Sequence, residues 1–95
     1  MATLDSALVQ DFLNDHTQWE FSQEHKALER VFQFRSYMEG IHFVEKVAKI
    51  AEELNHHPQM IVDWAKVTVR ANTHDAGGTV TEKDIALAMA IDGTA

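Results

Sequence analysis

The chain has 95 residues with no cysteine, one proline and four glycines, which is enough for one domain (1–95) and not for two. Without cysteine, disulfides and thiolate metal sites are excluded, and a hydrophobic content of 45% excludes a disordered chain. Fifteen acidic residues against eight scattered basic ones, a net charge of −7, exclude direct nucleic-acid binding through the phosphate backbone.

No apolar run is long enough to span a membrane. Met1 to Gln10 has neither a basic nor an apolar region of the secretory kind, so the expected location is cytoplasmic. Oligomerisation is the means of stabilisation left to so short a chain.

Leu4 to Asn14 carries Leu4, Ala7, Leu8, Asp11 and Phe12 near helical spacing, with Asp5 or Ser6 as N-cap. From Thr17 the period changes to two. Trp19 and Phe21 alternate with Glu20 and Ser22, Gln23 to Lys26 reads as a turn, and Leu28, Arg30, Phe32 and Phe34 alternate with Glu29, Val31, Gln33 and Arg35. This predicts a hairpin with one apolar face.

Ser36 to Asn55 is the clearest helix. Ser36 and Glu39 fit a capping box, and Ile41, Val44, Val47, Ala48, Ala51 and Leu54 form a stripe at 3.6-residue spacing. Pro58 ends it near Asn55.

Met60, Val62 and Trp64, then Val67, Val69 and Ala71, predict a second hairpin, with Ala65-Lys66 as a tight turn. Gly77-Gly78 marks a loop. Thr81 and Asp84 resemble a capping box opening a last helix whose apolar face is Ile85, Ala88 and Met89. The predicted fold class is therefore α+β, in the order α-β-β-α-β-β-α. A four-stranded antiparallel sheet has three helices on one face, and its other face is polar or occupied.

Six histidines in 95 residues are the conspicuous feature. His16, His25 and His42 read as surface residues. His56 and His57 follow the long helix and His74 follows the fourth strand, where loops on a rigid scaffold concentrate chemistry. Histidine suits proton transfer near neutral pH. A solvated helix cap and a metal site are the alternatives for the same residues. Adjacent histidines seldom chelate one ion, and no standard zinc spacing is present even with Asp75 beside His74. Glu52 lies one helical turn before His56 and is placed to meet it. Trp19 and Trp64 read as core or rim aromatics, with stacking on a flat heteroaromatic ligand as the functional alternative.

The run Glu52-Glu53-Leu54-Asn55-His56-His57-Pro58, followed by a hairpin, Thr73-His74-Asp75, a Gly-Gly loop and Thr81-Glu82-Lys83-Asp84, resembles the pterin-4a-carbinolamine dehydratases. The resemblance covers nearly the whole chain from Trp19 onward. It implies dehydration of 4a-hydroxytetrahydrobiopterin to the quinonoid dihydropterin, a hydro-lyase reaction in tetrahydrobiopterin recycling, with no cofactor and no metal.

It further implies that His56, His57 and His74 are catalytic, with His57 binding the pterin and acting as base and the other two as acids. Trp19, Glu52, Pro58, Thr73 and Asp75 join His57 in substrate binding, and Asp84 supports the site. Homodimers or homotetramers built by extending the sheet are implied. The alternative on the same fold is a non-catalytic dimerisation cofactor or assembly factor. Trp64-Ala65 departs from the Tyr-Asn common at the second hairpin's turn, and Asn55 stands where an aspartate is common.

Overall fold

The computed structural model describes residues 6–73 and 79–94. The expected N-cap Asp5, the proposed site residues His74 and Asp75, and the Gly77-Gly78 loop lie outside the described residues. Within them the order is α1 (Ser6–Asp15), β1 (Glu20–Ser22), β2 (Ala27–Gln33), α2 (Tyr37–Leu54), β3 (Gln59–Asp63), β4 (Lys66–Ala71) and α3 (Glu82–Asp92). The strands form one four-stranded antiparallel sheet, as the pattern predicts, and their spatial order is β1-β2-β4-β3.

The pairing register sorts the side chains. Phe21 is opposite Leu28, Leu28 opposite Ala71, Phe32 opposite Val67, and Met60 opposite Val69. These rows face the helices and join Phe12, Val47, Leu87 and Ile91 in the core. The alternate rows lie on the opposite face because strand side chains alternate. One of them runs Gln59, Arg70, Glu29, Glu20 across the whole sheet.

Several details differ from the sequence pattern. On α1 the inward residues are Val9, Phe12 and Leu13 rather than Leu8 and Asp11, because Phe12 anchors the helix and its neighbours at helical spacing follow it inward. His16 extends that row. Its ring stacks on Phe12 at 4.4 Å, and its Nδ1–H donates to the Phe12 carbonyl at 3.0 Å, so it closes the helix end.

On α2 the buried residues are Gly40, Phe43, Val47 and Ala51, and Ala48 and Leu54 are exposed. Gly40 is where the helix approaches the sheet closely, since a Cβ there would lie 3.4 Å from Val67. The expected capping box is displaced by one residue. Ser36 Oγ accepts from the Glu39 N–H at 3.2 Å, but the Glu39 carboxylate accepts from Arg35 N–H at 2.9 Å, not from Ser36.

On α3 the buried face is Asp84, Leu87, Ala88 and Ile91, while Met89 is exposed. The second hairpin turns at Trp64-Ala65, not Ala65-Lys66, since Asp63 pairs with Lys66. Trp64 takes φ 57 in that turn and is 72% exposed, so it is neither a strand nor a core residue. Among the described residues, no helix is long and apolar enough to cross a membrane.

Candidate active site

The His56-His57-Pro58 segment is launched by the end of α2. Asn55 adopts the left-handed conformation (φ 52), which Asn tolerates better than most residues. Its N–H then bonds to Glu52 O and the His56 N–H bonds back to Ala51 O at 3.0 Å, closing the helix by the doubled Schellman bond. Helical spacing stops at this point. As a result Glu52 does not meet His56, as its position one turn earlier predicts. It meets His57, whose Nε2–H donates to the Glu52 carboxylate at 2.6 Å. This pair is exposed.

His56 turns the other way. Its Nε2–H donates to Asp84 Oδ1 at 2.6 Å, across 28 residues of sequence. Asp84 is the N3 residue of the α3 capping box, with Thr81 as the cap. Thr81 N–H and Thr73 Oγ1–H both donate to Asp84 Oδ2, at 2.9 and 2.8 Å. Thr81 Oγ1 in turn donates to Thr73 Oγ1 at 2.7 Å and accepts from Lys83 N–H.

The direction of this chain follows from its end: an ionised carboxylate only accepts, so each donor points toward Asp84. Asp84 is completely buried, and a buried carboxylate needs such a set of donors. The consequence for His56 is a fixed tautomer. Nε2 carries the proton given to Asp84, and Nδ1 is the nitrogen left for other work.

Thr73 also fixes the place where the chain enters the segment that carries His74. Its backbone bridges Thr79 across that segment, with Thr73 N–H donating to Thr79 O at 2.8 Å. The residue before His74 thus shares the Asp84 carboxylate with His56.

His57 lines a cavity of about 330 Å³ with His25, Gln59, Arg70 and Asn72. Pro58 directs the chain from His57 into β3. Gln59 and Arg70 are paired on the sheet face away from the helices, and His57 and Asn72 flank them just outside the strands. Sequence reading placed His25 among the incidental histidines and did not single out Gln59, Arg70 or Asn72. The available signal was the period-two spacing of residues 57 and 59 and of 70 and 72, together with the strand register.

Trp19 is not among the residues that line this cavity. It is buried between Phe12 and Phe32, and its Nε1–H donates to both Asp92 carboxylate oxygens at 2.9 and 3.0 Å. Arg30 donates to the same carboxylate at 2.7 Å and lies over the Phe32 ring. Trp19, Arg30 and Asp92 line a second cavity of about 500 Å³ with Asp15, His16, Thr17 and Gln18. The two cavities share no described lining residue. Among the described residues, no group of three or more His, Cys, Asp or Glu could hold a metal ion.

Comparison with known proteins decides the family. Residues 2–94 match the family model described as pterin 4 alpha carbinolamine dehydratase. The chain belongs to the pterin-4-alpha-carbinolamine dehydratase family, a family of hydro-lyases. A relative from Roseiflexus sp. (strain RS-1) is 42% identical over 93 residues, covering 97% of each chain. One from Thermomicrobium roseum is 41% identical over 88 residues, covering 93% of this chain and 91% of its own. The names of both provisionally assign them as pterin-4-alpha-carbinolamine dehydratases.

Among solved structures, a transcriptional coactivator/pterin dehydratase from Brucella melitensis superposes with a TM-score of 0.86 at 27% identity, covering 96% of each chain. A pterin dehydratase-like protein identified as a RuBisCO assembly factor in the alpha-carboxysome superposes with a TM-score of 0.66 at 25% identity, covering 82% of this chain and 89% of its own.

Proposed function

We propose that this chain dehydrates a pterin 4a-carbinolamine to the quinonoid dihydropterin, using its histidines as general acids and base in tetrahydropterin recycling. The observation that carries this reading is the divergent pair His56 and His57, each held at 2.6 Å by its own carboxylate. The reaction needs two proton movements at different atoms of one ring system. The C4a–O bond breaks and the hydroxyl leaves as water, taking a proton from an acid. The N5 proton goes to a base as the N5=C4a double bond forms. Atoms and charge balance as loss of one water, with no oxidant or reductant.

His57 is assigned to pterin binding and to the base. It is accessible and faces a polar cavity, and Glu52 orients its ring from behind. His56 is assigned as an acid through Nδ1 in the doubly protonated form of its ring, because Asp84 occupies the other nitrogen. His74, directly after the anchored Thr73, is assigned as the second acid. Pro58, Thr73 and Asp75 complete the binding segment on this reading. General acid–base catalysis of this kind contributes typically about 10²–10⁴-fold.

The same reading includes a homodimer or homotetramer. β3 is an edge strand whose residues Ile61 and Val62 are exposed, and Trp64 and Leu54 are also exposed. Pairing two such edges covers backbone groups that otherwise invite aggregation. An exposed apolar set of this kind also suits the second reading, a dimerisation or assembly cofactor. The test is dehydration of chemically generated 4a-carbinolamine followed by stopped flow. Turnover by the native chain supports the enzyme, and a rate equal to the uncatalysed background removes it in favour of the second reading.

A further inference from the structure

We infer that His25 is the proton-exchange residue of the site, passing to solvent the proton that His57 takes up in each turnover. This rests on the dehydratase reading and adds to it a step that His56, His57 and His74 do not perform.

Each turnover leaves one proton out of place. The C4a–O bond breaks with its electron pair on oxygen, which takes a proton from an acid and departs as water. The N5 lone pair forms the N5=C4a bond, and the N5–H electrons stay on nitrogen as the proton passes to His57. The substrate has lost one water and nothing else. His57 now holds one proton too many and the acid one too few, and both must exchange with solvent before the next turnover.

The surroundings of His57 decide where its proton goes. Nε2–H is held by the Glu52 carboxylate at 2.6 Å, so the ring takes the substrate proton at Nδ1. Loss of the other proton to Glu52 would leave Nδ1 protonated and unable to accept again. The Nδ1 proton therefore leaves by the cavity of about 330 Å³ that His57 shares with His25, Gln59, Arg70 and Asn72.

Gln59 and Asn72 carry amides, which neither gain nor lose a proton near neutral pH, and the Arg70 guanidinium stays protonated. It is also engaged, with Glu29 and with Gln59 Oε1. Of these four residues, only a histidine both takes up and releases a proton near neutral pH, which leaves His25. The cavity has room for several waters, at roughly 30 Å³ each, to carry the proton between the two rings.

His25 is held in place for this exchange. Its N–H donates to Ser22 Oγ at 3.2 Å, and its carbonyl accepts from Asn72 Nδ2 at 3.3 Å, which ties the β1–β2 turn to the end of β4. Lys26, in the left-handed conformation (φ 51), then leads the chain into β2. The His25 side chain is also open to solvent, and its Nε2 lies 3.8 Å from the exposed Glu24 carboxylate. His25 thus borders the cavity and the solvent at once.

The experiment compares single-turnover with steady-state dehydration of a chemically generated 4a-carbinolamine, for the native chain and His25→Gln. Each is run in dilute buffer and with added imidazole. A single turnover starts from correctly protonated protein, so His25→Gln should match the native rate there, which also shows that it is folded. Its steady-state kcat should fall several-fold in dilute buffer and return toward the native value as imidazole is raised. A small base that enters the cavity does the work of the missing ring, whereas a merely structural role of His25 gives no such rescue.

A native steady-state kcat for His25→Gln in dilute buffer, a loss that imidazole does not restore, or an equal loss in single turnover would each overturn the proposal. A native chain inactive in both regimes instead brings down the dehydratase reading on which it rests.

Discussion

His56 Nε2 and Asp84 Oδ1 lie 2.6 Å apart, joining the exit of α2 to the first turn of α3. One buried carboxylate thereby does two jobs. It caps α3 through Thr81 and it fixes which nitrogen of His56 is free. Asp84→Ala would strand the buried Thr73 hydroxyl and Thr81 N–H and the largely buried His56 N–H together. The expected loss is about 3 kcal/mol of stability. For a domain of this size that lowers Tm on the order of 15 °C, measurable by calorimetry. A Tm within a few degrees of native would show that the network is not holding the two helices.

Glu52 gives the contrasting case. Both it and His57 are exposed, so their bond adds little to stability. Glu52→Gln should leave the melting curve in place while lowering kcat several-fold, because the His57 ring exchanges a charged acceptor for a weaker neutral one. Steady-state kinetics beside a thermal melt separates the two effects. A large Tm loss, or unchanged kcat, would contradict this account of Glu52.

Most of the fold was legible in the sequence, because period and punctuation are local properties. The Val67, Val69 and Ala71 alternation, Pro58 after α2 and the Thr81–Asp84 cap all stand where the pattern puts them. What the pattern could not supply was rotation and partner. The buried row of α2 starts at Gly40, and a glycine carries no hydrophobic signal, so the predicted stripe lies to one side of the real one. Helical spacing paired Glu52 with His56, but Asn55 in the left-handed region ends that spacing one residue too early for it. Arg70 and Gln59 carried no motif at all. Their adjacency exists only once β3 and β4 are in register.

Trp19 shows how a matched residue is tested. The resemblance implies that it binds substrate, whereas its indole N–H is spent on Asp92 and its ring is packed on Phe12 and Phe32. Trp19→Phe keeps most of the packing and removes the donor. The expected outcome is a stability loss of about 1–2 kcal/mol with KM changed less than about twofold. Chemical denaturation and kinetics on one preparation decide it. A severalfold rise in KM at native stability would support substrate binding by Trp19.

The edge strand makes a prediction about assembly. Val62 is exposed on β3, and lysine is the residue natural edges use to block pairing. Light scattering should give a dimer or tetramer for the native chain and a smaller species for Val62→Lys. A native chain that stays monomeric and well folded at micromolar concentration would contradict assembly through this edge.

The central claim is that His57 takes part directly in the proton transfers of carbinolamine dehydration. Single-turnover stopped flow on the native chain and on His57→Ala, with the uncatalysed reaction beside them, tests it most directly. The account predicts rapid dehydration by the native chain and a fall of about 10²–10⁴-fold in the variant, with an unchanged melting curve. Equal rates for the native and His57→Ala chains would contradict it.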